Sequence, residues 1–259
     1  KKDDLMGFLG KYYDTDKVLL SMAGHLSMKR FKLLIDKYFN NKINYEPINK
    51  LELKKRELFP NFYNKTNKSK YLEYIKKDID TSFVTIGFPS YELFTRDSVI
   101  LDLIGIILAG YMSSRLYEKL RNKLGIIYGI SNNNEQMADC GYYYLMCGTT
   151  NVKLCIQTIL QELNNLKSVL VSKDELLSAK ENINGSTKMS INDSNTLASH
   201  YGIYYLYYKK IISIEEILNI MNSITPEDIK RVSNTIFNKD KLKICYMGRN
   251  KYEIKNILT

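Results

Sequence analysis

Ser113-Ser114-Arg115-Leu116-Tyr117-Glu118-Lys119-Leu120-Arg121-Asn122-Lys123-Leu124-Gly125-Ile126-Ile127-Tyr128-Gly129-Ile130-Ser131-Asn132-Asn133 is the stretch whose reading decides the fold. Its first part sets leucines among charged residues and reads as an amphipathic helix beginning near Ser113. Gly125 then serves as the C-cap, because a residue without Cβ takes the left-handed conformation that ends a helix. The segment after the glycine, Ile126 to Asn133, is rich in β-branched and aromatic residues and reads as a strand.

Downstream, Gly141 to Thr149 (GYYYLMCGT) reads as a second strand. A polar connection containing Asp139 makes a hairpin of the two. Upstream, the most apolar run of the chain, Val99 to Leu108, carries Asp102 and reads as a buried helix within about 95–109. Before it, YLEYI and SFVTIGF read as strands. The rest is helical. Val152, Ile156, Ile159, Leu163 and Leu166 recur at helical spacing. Capping boxes open at Ser172 and Ser213, and a tyrosine-rich helix, SHYGIYYLYY, lies between them. A few strands with helices collected between them imply an α+β fold, an antiparallel-rich sheet with helices packed on one face.

The chain also resembles itself. Residues 1–25 align without gaps to the segment starting at Thr225, at a constant offset of 224. Asp4 meets Asp228, Asp16 meets Asp240, Lys17 meets Lys241 and Gly24 meets Gly248. Apolar positions match as well: Leu5 with Ile229, Phe8 with Val232, Tyr12 with Ile236 and Tyr13 with Phe237. Each copy is helical first and strand-like second, so helices are expected at 3–13 and 27–40 and a strand at 18–24. Duplication accounts for this register. It divides the chain into 1–43, the closing helix-strand-helix of a preceding homologous repeat, an Asn/Lys-rich linker at 44–70, and a complete second repeat at 71–259.

Composition narrows the function. At 259 residues with 44% hydrophobic and 25% charged residues, the chain is an ordinary globular sequence. No apolar run reaches the roughly 18 residues of a membrane span. Lys1-Lys2-Asp3-Asp4 has no apolar h-region behind it, so no secretory signal is read. Cys140, Cys147, Cys155 and Cys245 lack CxxC spacing and read as buried free thiols. Together these favour an intracellular setting and leave the compartment unknown. The net charge of +10 raises nucleic-acid binding as a question. Many of the lysines (Lys50, Lys54, Lys55, Lys65, Lys68, Lys70, Lys76 and Lys77) cluster in and just after the Asn-rich linker. The abundance of Asn, Lys, Ile and Tyr suits an AT-rich coding sequence, and no nucleic-acid partner is expected.

The run from Ser113 to Arg121, continued by Leu124-Gly125-Ile126-Ile127-Tyr128, resembles the pitrilysin and mitochondrial-processing-peptidase family of zinc metallopeptidases. The order behind it fits too: Asp139-x-Gly141, the strand ending Gly148-Thr149, a helix, ELLSAKE, then SIEEILNIMNSITPEDIKRV and a last strand closing at Gly248. The resemblance implies the C-terminal, zinc-free half of a duplicated two-domain subunit. Family enzymes hold zinc on a His-x-x-Glu-His helix, whose Glu is the general base on the bound water. This chain has two histidines, His25 and His200, and neither stands in such a motif. The implied cofactor is therefore zinc in a homologous partner half or subunit, with no metal ligand here and no peptidase activity for this chain alone. The implied partners are that zinc-bearing half and an unfolded peptide substrate.

In active members an Arg and a Tyr seven residues apart reach the substrate beside the zinc; Arg121 and Tyr128 meet that spacing. A fixed phenol can stabilise the charge that develops on a scissile carbonyl oxygen, and a guanidinium grips a backbone with several donors. On the residues alone, Arg121 reads equally as a solvated helix residue and Tyr128 as a core strand residue. Arg115, earlier on the same helix, is expected to matter less to turnover. The alternative function is a peptidase-like scaffold or regulatory subunit of the core-protein type.

Overall fold

The computed structural model describes residues 1–13, 18–39, 72–137 and 140–254. The linker read at 44–70, Asp139, and the repeat positions Asp16 and Lys17 lie outside them. The described residues form two units: one from residues within 1–56 together with Ser186–Glu216, the other from residues within 57–185 together with 217–259.

The larger unit is built on a five-stranded sheet in the order β1-β5-β2-β4-β3. The strands are β1 (Leu72–Lys76), β2 (Ser82–Ser90), β3 (Ile127–Gln136), β4 (Gly141–Thr149) and β5 (Lys243–Gly248). Only β1 and β5 run parallel; the other pairs are antiparallel. Alternation along β2 and β4 sorts the residues cleanly. Val84, Ile86 and Phe88, with Tyr143, Leu145 and Cys147, are buried, while Phe83, Tyr142 and Met146 stay exposed.

Helices cover the buried face. They are α3 (Arg96–Ala109), α4 (Val152–Ser168) and α8 (Pro226–Ile236). Among them α3 packs on β3, α4 and α8 on β2, and α8 against both α3 and α4. All five apolar positions of helical spacing on α4, from Val152 to Leu166, are buried. At roughly 1.5–3 kcal/mol for each large side chain removed from water, this stripe is a principal source of cohesion. The α+β expectation, with helices on one sheet face, describes this unit.

Local chemistry sets the boundaries. The α8 N-terminus carries a reciprocal capping box: Thr225 Oγ1 accepts from the Asp228 amide at 3.2 Å, and Asp228 Oδ2 accepts from the Thr225 amide at 3.1 Å. Pro226 occupies the first turn, where its missing N–H costs nothing. Ser172 and Ser213 cap α5 (Lys173–Ser190) and α7 (Ile214–Asn222), each accepting from the amide three residues on. Gly141 opens β4 because a Cβ there would stand 2.1 Å from the Tyr91 carbonyl oxygen.

The smaller unit contains α1 (Lys2–Tyr12), α2 (Met28–Phe39) and the tyrosine-rich α6 (Ser194–Tyr208). Among its described residues only Ile35 and Ile212 are buried apolar side chains. The strand expected at 18–24 is corrected. Residues 18–23 take extended or irregular backbone and pair with no strand among the described residues. A strand needs a neighbouring ladder, and apolar sequence alone does not supply one. The helical part of the repeat does coincide: α1 and α8 have bounds that differ by the same 224 residues.

Candidate functional site

The segment after Ser114 begins with an ordinary helical bond, Glu118 N to Ser114 O at 2.9 Å. It then widens into a π-helix over Tyr117–Lys123. Leu124 N donates to Lys119 O, five residues back, at 3.0 Å. The ending is widened likewise. Gly125 N donates to Arg121 O at 3.2 Å and Ile126 N to Leu120 O at 3.0 Å, each one residue longer than in the α-helical Schellman arrangement. Gly125 sits at φ +61, as its C-cap reading required. The amphipathic helix expected here is thus π-wound.

This turn is fixed by packing on one side and charge on the other. Leu116 and Leu120 are fully buried. Arg115 forks onto Glu175, with both N–H···O distances 2.6 Å. Lys119 pairs with Glu162, whose other oxygen lies 3.8 Å from Arg115. Asn165 donates to Glu162 at 3.0 Å. The Glu175 bond, reinforced by the charges of Glu175 and Glu162, raises the Arg115 pKa above its ordinary value. Arg115 is therefore a fold-holding residue. The one charged group on the buried face of α4, Glu162, was the available sequence signal for this network.

Beyond the glycine, the strand brings Tyr128 back to Arg121. The Arg121 guanidinium carbon lies 4.9 Å from the centre of the Tyr128 ring, a cation–π contact. Tyr128 is 87% exposed, so the core-strand alternative for it is wrong. A bulge is the cause. Ile127 pairs with Thr149 but Ile130 with Cys147, so β3 carries an extra residue there. Ile127 and Ile130 can then both point into the core, leaving Tyr128 projecting from the other face. Among the described residues, no hydrogen bond or ion pair engages the Tyr128 hydroxyl or the Arg121 guanidinium. Two donors are presented side by side, toward whatever approaches the open face of the sheet.

A second polar cluster was missed from sequence. The Asp102 carboxylate on α3 accepts from Asn134 Nδ2 at 2.9 Å and from Gln136 Nε2 at 3.3 Å. Ser90 Oγ in turn donates to Asn134 Oδ1 at 2.8 Å. Desolvation pushes the Asp102 pKa up to about 6, against the two amide donors, which lower it. Polar residues at core-facing positions of β3 were the signal.

The residues do not fit a metal. No group of three His, Cys, Asp or Glu among the described residues could hold an ion. His200 Nε2 is hydrogen-bonded to the Ile212 carbonyl at 2.9 Å. Cys147 and Cys155 are buried thiols outside any disulfide; Cys140 and Cys245 are partly exposed thiols, which corrects their reading as buried. No described helix is long and apolar enough to cross a membrane.

A family model described as the peptidase M16 inactive domain matches residues 1–183. A zinc protease of Bacillus subtilis, YmxG, is 26% identical over 241 residues, covering 92% of this chain and 56% of that protein. A zinc protease of Rickettsia bellii is 26% identical over 248 residues, covering 91% and 55%. The chain therefore spans about half the length of the curated relatives it matches. Among solved structures, a protease from Helicobacter pylori shares the fold at a TM-score of 0.73 and 19% identity, over 87% of this chain and 53% of that one.

Proposed function

Because the chain belongs to the peptidase M16 inactive-domain family, we propose that it is the zinc-free half of a clamshell metalloendopeptidase, completed by a homologous zinc-bearing half. That half is either further sequence of the same polypeptide or a separate subunit. Zinc would be carried there, since the residues described here do not fit it.

The observation that carries this reading is a mismatch between equivalent helices. Ile229 and Val232 of α8 are fully buried against the sheet of the larger unit. Their counterparts on α1 at the 224 offset, Leu5 and Phe8, are 68% and 55% exposed. Helix α1 has no buried residue at all. An amphipathic helix with its apolar stripe in water lacks the surface it was patterned for. A homologous half, closing over α1 as the second repeat closes over α8, supplies that surface. Residues 18–24 would then join its sheet as β5 joins this one, and 1–43 would close the first repeat.

In this assembly the open sheet face is turned to an enclosed peptide. Tyr128 donates its phenolic hydrogen to the carbonyl oxygen on which negative charge develops, and Arg121 holds the ring and grips the neighbouring backbone. A donor aimed at developing charge in a water-poor site acts mainly on kcat. The exposed Tyr128 and the half-buried Arg121 stacked on its ring, neither side chain in a hydrogen bond or ion pair among the described residues, support this role.

The reading is tested by co-purification with the zinc-bearing half. A stable one-to-one complex is expected, with one zinc per complex and none on this chain alone. Phe8→Asp should weaken the complex without lowering the melting temperature of the isolated chain. One tightly held zinc per isolated chain, or no complex at all, would leave the scaffold reading in its place.

A further inference from the structure

Cys147 and Cys155 stand eight positions apart in the chain, and the fold brings their sulfurs to 3.4 Å of each other. Cys147 lies on the core-facing side of β4, and Cys155 ends the first turn of α4. The turn between them is closely tied. Asn151 N donates to Thr149 Oγ1 at 3.1 Å, Leu154 N to Asn151 Oδ1 at 3.2 Å, and Cys155 N to the Asn151 carbonyl at 3.0 Å. The helix therefore starts directly off the end of the strand, and both thiols fall on the buried side. A disulfide has sulfurs about 2.05 Å apart, so closing this pair takes a movement of roughly 1.4 Å. The sulfurs are already in contact, and side-chain rotation supplies most of it.

The two thiols are chemically unequal. Cys155 donates its S–H to the Cys147 sulfur, which draws the Cys147 pKa below the ordinary thiol value against the effect of burial. The same bond, with burial, pushes the Cys155 pKa up. The thiolate is the reactive form of a cysteine, so Cys147 is the one to react first and Cys155 the one to answer it. Burial sets the class of oxidant. Both side chains are nearly inaccessible, while Thr150 and Asn151, which join strand to helix, are exposed. A local opening of that connection admits a small neutral molecule and excludes a bulky one.

We propose that Cys147 and Cys155 are a modification site for peroxide, closing reversibly to a disulfide. The Cys147 thiolate attacks one oxygen of hydrogen peroxide and the O–O bond breaks. The sulfur becomes a sulfenic acid, and the other oxygen leaves as hydroxide, which takes up the proton that Cys147 gave up. The Cys155 sulfur then attacks the sulfenic sulfur. The S–S bond forms, the S–O bond breaks, and the hydroxyl departs with the Cys155 proton as water. Two thiols are oxidised by two electrons and the peroxide is reduced to two waters. A dithiol reductant reverses the step by exchange. The bond ties together two supports of the Arg121–Tyr128 pair. Strand β4 flanks the bulge that carries Tyr128, with Cys147 opposite Ile130, and α4 carries Glu162, which holds Lys119 of the π-helix.

The experiment needs no zinc-bearing half. The full chain with Cys140→Ser and Cys245→Ser is treated with hydrogen peroxide, denatured, and its thiols are counted and its peptides mapped. Both remaining thiols should be lost to one peptide pair linked through Cys147 and Cys155, and dithiothreitol should restore them. A bulky aromatic disulfide reagent should react at least tenfold more slowly with the folded chain than with the denatured one. Cys155→Ala should stop the reaction at a Cys147 sulfenic acid that dimedone traps, whereas Cys147→Ala should leave Cys155 unoxidised at the same dose. Alanine keeps each position small and apolar. The unsubstituted chain, mapped in the same way, should give the Cys147–Cys155 linkage in higher yield than any linkage to Cys140 or Cys245, whatever the variants do to folding. Both thiols still titratable after peroxide, linkage only between chains, or equal dimedone trapping in the two alanine variants overturns the proposal.

Discussion

Asp102 shows how far one side chain can depart from its setting. It lies within the most apolar helix of the chain, and burial raises its pKa to about 6 while Asn134 and Gln136 pull the other way. A raised carboxyl pKa means that the folded state prefers the protonated form. The resulting contribution to stability is fully present below the unfolded value of about 3.9, and is lost as pH rises through about 6. Asp102→Asn should therefore stabilise the fold at pH 7, by up to about 3 kcal/mol, and have little effect near pH 4. Thermal melts of both proteins across that range check it; parallel Tm profiles would contradict the assignment. Neighbouring carboxylates such as Asp97, held low by Arg231, act in the opposite sense, so the difference between the two profiles is the informative quantity. Sequence revealed the oddity of a charge inside an apolar run, but not its partners, because Asn134 and Gln136 reach it only through the strand β3. Tyr128 entered as a candidate only through the family resemblance, which carries an Arg and a Tyr at this spacing. Its exposure was not legible, since nothing in Ile127-Tyr128-Gly129-Ile130 announces a bulge.

The π-helix is where local sequence and tertiary packing part company. Leucines among charges and a terminal glycine made the helix and its end legible. The wider winding comes from contacts distant in sequence: buried leucines on one side, and Arg115 and Lys119 drawn to Glu162 and Glu175 on the other. Glu162 is the centre of this arrangement and nearly inaccessible to water. Glu162→Ala would remove the anion shared by the partly exposed Lys119 and by Arg115, which keeps Glu175, a loss of about 1–3 kcal/mol. Urea denaturation should show that loss, whereas Lys123→Ala, on the exposed end of the same segment, should change stability by no more than about 0.5 kcal/mol. Equal effects would mean that the network does not hold the turn. The segment 18–24 carries the converse lesson. Its apolar run has strand character, yet no described strand pairs with it, because a ladder has two sides and sequence shows one.

For the molecule entire, the two units differ sharply in how much apolar surface they bury. The larger has a sheet, three covering helices and a continuous core that reaches from Val84 to Ile254. The smaller buries two apolar side chains among its described residues and leaves Leu5, Met6, Phe8 and Tyr13 in water. The α+β architecture and the likeness to the inactive-domain family could be read from motif order. The surface proposed to cover α1 could not, because it belongs to no residue described here. The central claim, that this half supports catalysis at zinc held elsewhere, is tested most directly by steady-state kinetics of the complex with the zinc-bearing half, comparing the native chain with Tyr128→Phe. The account predicts that kcat falls by about a hundred- to a thousandfold with KM little changed, the loss of one transition-state donor at about 3–4 kcal/mol, while the melting temperature holds because the side chain is 87% exposed. Native turnover from Tyr128→Phe in that complex would contradict it.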